Sequence, residues 1–351
     1  MPTHNKLSGM SVSEEGTLTS KDYASDQNVR WCPGCGDYSV LKQVQTTLAD
    51  LGVPRENAVF VSGIGCSSRF PYYMGTYGMH GIHGRATAIA SGLKAARPDL
   101  DVWIITGDGD ALAIGGNHII HLLRRNFNVK ILLFNNEIYG LTKGQYSPTS
   151  LKGKVSKTSP YGTVDYPFNP LALTLGAEGT FVSRSLDRNA KHLKLVLKAA
   201  HEHQGSAFVE IYQNCNVFNH DNFSIYSDKQ TRGENALYLE EGKPLIFGEN
   251  NEKGIILHGF TPRKVEIGAG FEVSDLWVHD PTDKIKASIL TQFFNYEKHE
   301  SELPRPFGVF YREDRFNYEQ AMVDQIEESI KNEGAGNLDE LLSGPNPWSI
   351  S

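Results

Sequence analysis

The residues with the clearest capacity for chemistry are four cysteines: Cys32 and Cys35 in WCPGCG, Cys66 in GIGCSS and Cys215 in QNCN. A C-x-x-C pair alone serves zinc sites, thioredoxin-like redox sites and iron–sulfur clusters. This pair precedes the first expected helix, and no thioredoxin-type strand leads into it. Cys66 and Cys215 each follow an expected strand. If those strands are parallel, both thiols leave the same carboxyl edge of one sheet. Four thiolates then suffice for a [4Fe–4S] cluster or a structural zinc. Burial of four unrelated cysteines is the remaining account, and spacing by itself does not separate the three.

A second constellation is Thr106-Gly107-Asp108-Gly109-Asp110, with Asn135-Asn136 one helix and one strand later. A lone GDG is ordinary turn chemistry. Following one strand, with NN following the next, it becomes specific, because a right-handed crossover brings Asp108 and Asn136 to one sheet edge, where ligands of open α/β sheets bind. An Asp carboxylate, an Asn amide oxygen and the backbone carbonyl of Ile138 form a hard-oxygen set suited to Mg²⁺ on a diphosphate. Gly107 and Gly109 allow close backbone approach, and the Gly109 N–H can face phosphate.

These motifs require an α/β frame. Ala58–Ser62, Val102–Thr106, Val129–Phe134 and Ala207–Tyr212 are expected strands. Their mostly apolar runs suit strands covered on both faces. Helices are expected over Asp37–Leu51, capped by Asp37, and over Arg85–Ala96, Gly116–Arg125 and about Arg188–His203. The reading divides the chain into a flexible tail (1–24), a cofactor-binding domain (25–222) and a C-terminal extension of unassigned topology (223–351). That extension includes an amphipathic helix, Tyr318–Asn332, bearing Met322, Ile326 and Ile330.

Across 351 residues the net charge is −7, which argues against general nucleic-acid binding, since phosphate contact needs a basic excess. No apolar run reaches the ~20 residues of a membrane helix, and Met1 to Thr19 has no signal-peptide core. A cytoplasmic protein is expected, where cysteine pairs are more often metal ligands or redox centres than disulfides.

Taken together, CPGCG, GIGCSSR, HGIHGRA, GDGDALAIGGNH and NNEIYGLTKGQYSPTS resemble the β subunit of 2-oxoacid:ferredoxin oxidoreductases, nearest to the two-subunit 2-oxoglutarate type. The likeness is dense over residues 25–220, with a looser echo at Gly242–Gly248. It implies a thiamine-diphosphate-binding fold with a mostly parallel sheet. It also implies one [4Fe–4S] cluster on Cys32, Cys35, Cys66 and Cys215, and Mg²⁺ on Asp108, Asn136 and Ile138. Ile64, Gly65, Cys66, Ser67, His83, Gly109, Asp110, Gly140 and Leu141 would line the cofactor.

The implied activity is oxidative decarboxylation of a 2-oxoacid, with electrons leaving singly through the cluster to ferredoxin and coenzyme A collecting the acyl group. Arg69, three residues past Cys66, is the candidate for the substrate carboxylate, because guanidinium matches it as a bidentate fork. His83 is a candidate donor to the diphosphate or the reacting carbonyl, and Lys143 and Gln145 fall near the substrate mouth. His118 and His121, at i and i+3, read as a helix face rather than a metal pair. Tyr72, Tyr73 and Tyr77 read as packing beneath the GIGC loop.

Thiamine enzymes need an activating glutamate from a pyrimidine-binding domain, and no such domain is evident here. The resemblance assigns it to an α subunit, with (αβ)₂ as the expected unit. Two other classes of reading are a zinc-stabilised binding module and a non-redox thiamine decarboxylase with structural cysteines.

Overall fold

The computed structural model describes residues 18–348. In chain order its strands are β1 (Ala58–Ser62), β2 (Tyr77–His80), β3 (Asp101–Gly107), β4 (Val129–Asn135), β5 (Phe181–Leu186), β6 (Ala207–Tyr212), β7 (Ala236–Tyr238), β8 (Ile246–Phe247), β9 (Lys253–His258), β10 (Thr261–Glu266) and β11 (Arg305–Arg312). Its α-helices are α1 (Asp37–Leu51), α2 (Ala86–Ala96), α3 (Asp108–Leu112), α4 (Gly116–Arg125), α5 (Pro170–Gly176), α6 (Ala190–Glu202), α7 (Arg232–Asn235), α8 (Lys284–Thr291), α9 (Tyr318–Glu333) and α10 (Leu338–Ser343).

An 8-stranded sheet runs in the order β2-β1-β3-β4-β6-β5-β11-β7. All its neighbours are parallel except β11, which lies antiparallel to β5. The α/β expectation is met, and the central strands are buried on both faces. Phe60, Trp103, Ile105, Leu132 and Phe134 turn toward α1 and α6. Val61, Ile104, Ile131 and Leu133 turn toward α2, α4, α5 and α8. Continuous apolar runs are what such double coverage demands.

Strands β1 and β6 and helices α1 and α4 begin and end at the expected residues. Asp37 is not the cap of α1. Gly36 occupies that position without a side-chain bond, and Asp37 is buried, its Oδ1 without a partner. The C-terminal end closes on left-handed Gly52, whose N–H reaches the Leu48 and Ala49 carbonyls.

The segment after residue 222 contributes β7 and β11 to the main sheet and, in β8 to β10, a 3-stranded antiparallel sheet. Helix α9 forms as expected, but Ile326 and Ile330 on it are exposed. Of the predicted N-terminal tail, residues 1–17 lie outside the described residues. Tyr23 is fully buried, and its hydroxyl donates to the Val53 carbonyl.

β5 owes its place to a charge pair. Arg184 Nε on β5 donates to Glu210 Oε2 on β6 at 2.7 Å, with both side chains almost wholly buried, and Arg184 Nη1 donates to the Pro306 carbonyl on β11. Removing one member of such a pair leaves an uncompensated buried charge. Arg184→Met should therefore lower stability by about 3–5 kcal/mol, and adding Glu210→Gln should recover much of that loss, as read from urea midpoints of the two variants.

Candidate functional site

Strands β1, β3, β4 and β6 lie side by side, so the turns that follow them share one carboxyl edge. These turns carry Cys66, Asp108, Asn136 and Cys215 respectively, and they open onto one cavity of about 410 Å³. Ile64, Gly65, Cys66 and Ser67 line it from the β1 turn, and Gly107 to Asp110 from the β3 turn. Asn136, Ile138, Gly140 and Leu141 line it from the β4 turn, and His83 completes the wall.

Asp110 ties these turns together. Its Oδ1 accepts the Ile64 N–H at 3.0 Å and the Gly84 N–H at 2.7 Å, and lies 2.7 Å from His83 Nδ1. Oδ2 accepts the Thr106 hydroxyl at 2.8 Å. With the Asp110 side chain buried and acceptor-only, His83 must carry its proton on Nδ1 and turn Nε2 the other way.

Asp108 is likewise held from one side. Its Oδ2 accepts Ser147 Oγ at 2.5 Å and Thr149 Oγ1 at 2.6 Å. Burial nevertheless pushes its carboxyl up to about 6, since no cation faces it among the described residues. Asn136 donates through Nδ2 to Gln213 Oε1 at 2.9 Å, while its Oδ1 accepts the Ile138 N–H. Between them Glu137 adopts a left-handed backbone, φ 54°. That conformation is costly for a residue with a Cβ and persists only where the surroundings enforce it. The enforcement comes from Asn135 Oδ1 on the Glu137 N–H, Ser150 Oγ on its carbonyl and Asn222 Nδ2 on its carboxylate. Gly109 is required by contact: a Cβ there would meet the Tyr139 ring at 2.1 Å.

The cysteines adjoin this cavity. A Cβ on Gly140 would lie 3.5 Å from Cys215 Sγ and 3.6 Å from Cys66 Sγ. Cys35 is within electrostatic reach of both, and Cys32 of Cys66. The C-x-x-C turn is docked by Asn216 Nδ2 on the Pro33 carbonyl and by the Gly36 N–H on the Asn214 carbonyl. Burial, with Asp37 adding to it, pushes the Cys66 thiol up to about 12 and raises Cys35 as well. Among the described residues, no three His, Cys, Asp or Glu side chains converge as a single-ion site requires.

Arg69 does not line this cavity. It is exposed in the 3₁₀ turn Ser67–Tyr73 and borders an adjoining cleft that shares Ile64, Gly65 and Leu141. His80 Nδ1 contacts the Ser68 carbonyl at 2.9 Å, bracing that turn. Tyr73 packs edge-on to Trp31, as a core residue should, whereas Tyr72 and Tyr77 are exposed. Lys143 is exposed, Gln145 lines the cavity, and His121 is exposed on α4 beside partly buried His118. Sequence reasoning passed over Tyr139, Gln213, Phe134 and Asp37, all of which line the cavity. Gln213, the first residue of QNCN, and Tyr139, inside NNEIYG, are the two a motif search could have reached.

A parallel sheet with a GDG turn, an NN turn and a cavity between them defines the class of thiamine-diphosphate enzymes. Residues 63–211 match the family model described as "Thiamine pyrophosphate enzyme, C-terminal TPP binding domain". The 2-oxoglutarate oxidoreductase subunit KorB of Mycobacterium tuberculosis is 47% identical over 99% of this chain and 93% of its own length. The β subunit of 2-oxoacid:ferredoxin oxidoreductase 1 from Aeropyrum pernix is 46% identical over 54% of this chain and 59% of its own. A solved structure of 2-oxoglutarate:ferredoxin oxidoreductase from Magnetococcus marinus, with 2-oxoglutarate, coenzyme A and succinyl-CoA bound, superposes with a TM-score of 0.75 at 32% identity, covering 94% of this chain and 97% of that one. The chain belongs to the β-subunit family of 2-oxoacid:ferredoxin oxidoreductases. Among the described residues no helix is long and apolar enough to cross a membrane.

Asp110→Asn tests the tie between the turns. An amide in place of the carboxylate presents N–H groups to donors that need an acceptor, leaving one or more buried and unpaired. The expected loss is about 1–3 kcal/mol of folding stability in urea titrations, together with weaker stabilisation by added thiamine diphosphate and Mg²⁺ in thermal melts.

Proposed function

We propose that this chain holds thiamine diphosphate, Mg²⁺ and one [4Fe–4S] cluster in an enzyme that oxidatively decarboxylates a 2-oxoacid, with 2-oxoglutarate the substrate best supported. An α subunit supplies the activating glutamate, coenzyme A takes the acyl group, ferredoxin takes the electrons, and two αβ pairs form the working unit. The observation that carries this reading is that the turns after four adjacent parallel strands bring Cys66, Asp108, Asn136 and Gln213 to a single cavity, with Cys215 Sγ close behind Gly140 on its wall. The substrate rests on the names of the M. tuberculosis and M. marinus relatives.

The residues suit the groups. Asp108, Asn136 and the Ile138 carbonyl would hold Mg²⁺, and a divalent cation there would offset the burial that raises the Asp108 carboxyl. Gly140 keeps a side chain away from the Cys66 and Cys215 thiols, and Gly109 lets the Tyr139 ring pack against the GDG turn. Cys32, Cys35, Cys66 and Cys215 would ligate the cluster. The Cys66 and Cys215 thiols both lie beside Gly140, and the C-x-x-C turn is docked onto the segment that carries Cys215. When bound, thiamine diphosphate supplies an electron sink for the carbanion left by CO₂ loss.

The chain's own residues bind and orient. His83, oriented by Asp110, offers Nε2 to the bound ligand. Arg69, in the adjoining cleft, receives the substrate carboxylate as a fork.

Reduction of ferredoxin or a viologen dye that requires 2-oxoacid, coenzyme A and both subunits is the expected assay result. Turnover by this chain alone, or purification with zinc and no iron, would sink the reading. Arg69→Met should raise KM for the 2-oxoacid about tenfold or more, the cost of a lost charged hydrogen bond, and an unchanged KM removes Arg69 from the site.

A further inference from the structure

Gln213 stands at the end of β6, 2% exposed, between the two halves of the site. Its carboxamide has one possible orientation. Nε2 donates at 2.6 Å to the Asn214 backbone carbonyl, which can only accept. Oε1 accepts at 2.9 Å from Asn136 Nδ2, and Asn136 is itself oriented by the Ile138 backbone N–H, which can only donate. A backbone group at each end thus fixes both amides without ambiguity. In that orientation Gln213 Nε2 also lies 3.3 Å from Cys35 Sγ as a donor. One buried side chain therefore bonds a proposed Mg²⁺ ligand through its oxygen and a proposed cluster ligand through its nitrogen.

We infer that Gln213 is a positioning residue coupling the two centres: its N–H raises the reduction potential of the cluster, and its carbonyl holds Asn136 in the rotamer that turns Oδ1 toward the cation. This rests on the proposed assignment of Cys35 to the cluster and Asn136 to Mg²⁺. An N–H directed at a ligating sulfur favours the more electron-rich, reduced cluster, so its removal lowers the potential. Burial strengthens the effect, because no water is available to replace the lost donor. Through the same amide, filling the cation site tightens Asn136 and Gln213 together, so the cluster potential responds to occupancy of the diphosphate site.

The test uses the αβ complex, with iron content and visible spectrum recorded first. Gln213→Met keeps the side chain's length but removes donor and acceptor. It should lower the cluster midpoint potential in a dye-mediated redox titration. It should also raise by about tenfold the Mg²⁺ concentration giving half-maximal thermal stabilisation at fixed thiamine diphosphate. Gln213→Glu keeps an oxygen for Asn136 but loses the N–H to sulfur, so the potential should fall while the Mg²⁺ requirement stays near that of the unaltered complex. In the unaltered complex, adding Mg²⁺ and thiamine diphosphate should shift the potential, and in Gln213→Met it should not.

Potentials unchanged in both variants, with iron and spectrum intact, overturn the inference, because a merely structural role lowers the melting temperature without moving a potential. Absence of iron or of any Mg²⁺ response in the unaltered complex overturns the assignment beneath it as well.

Discussion

Hydrogen-bond register between parallel strands is the constraint on which this molecule depends. Ser62 pairs with Ile105, Gly107 with Phe134 and Asn135 with Tyr212, so β1, β3, β4 and β6 finish nearly level. Each strand is followed by a turn of different chemistry, and level ends put four turns around one space. A slip of one residue in any pair would reverse every side chain of that strand between the two faces. Trp103 or Ile104 would then be driven out of its core, and the two apolar layers are what forbid it. Site geometry is in this sense a by-product of core packing, and the turns inherit their positions before any ligand arrives.

Within that frame, buried polar groups do the finer placement, and they are satisfied almost everywhere near the cavity. Glu210 pairs with Arg184 through one oxygen and accepts from Asn135 Nδ2 through the other at 2.8 Å. Thr149 Oγ1 lies 2.9 Å from Asn135 Oδ1 and 2.6 Å from Asp108 Oδ2, its single hydroxyl proton placed between the two acceptors. The charge pair that brings β5, β6 and β11 together thus continues, bond by bond, to the oxygen ligand proposed for Mg²⁺. A network of this kind is costly when half made and rigid when complete, which suits a site that must hold oxygens ready for an ion with strict geometry.

The frame was legible in the sequence because it is written in long apolar runs. AVFVS and AFVEIY announce themselves as buried strands, and helix α4 ends where Asn126 takes a left-handed conformation. The missed elements each lack such a signature. β2, Tyr77–His80, is an exposed edge strand, held by β1 and not by burial. β5 reads FVSRSL, whose Ser and Arg look solvent-facing, yet all six residues are buried because Arg184 meets Glu210. That meeting is a tertiary fact no local pattern carries. The site divides the same way: residues inside GIGC, GDGD and NN were found from the motifs. Tyr139 and Gln213 lie inside quoted motifs but show no ligand chemistry of their own, Asp37 reaches the cavity only through the packing of a separate segment, and Arg69, found beside a motif, turned out to face the next cleft.

The segment after residue 222 acquires a physical role from the same reasoning. Its strand β11 enters the main sheet beside β5, and its His299 reaches Glu137 of the NN turn. His299 Nε2 lies 3.3 Å from the Glu137 carboxylate, with the Tyr226 hydroxyl on the His299 carbonyl. Arg305, buried over the Phe294 ring at 4.6 Å, adds positive charge within reach of the same carboxylate. Glu137 separates the two residues proposed to hold Mg²⁺ and keeps the strained backbone that sets their relative direction. A lone buried carboxylate there would be expelled toward water and would take the strain with it. Arg305, the cation within reach of it, comes from outside residues 63–211, the span matched by the family model. The NN turn is therefore held from both sides of that boundary: Asn135 and Ser150 fix the Glu137 backbone, while Asn222 and Arg305 supply a hydrogen bond and countercharge to its carboxylate.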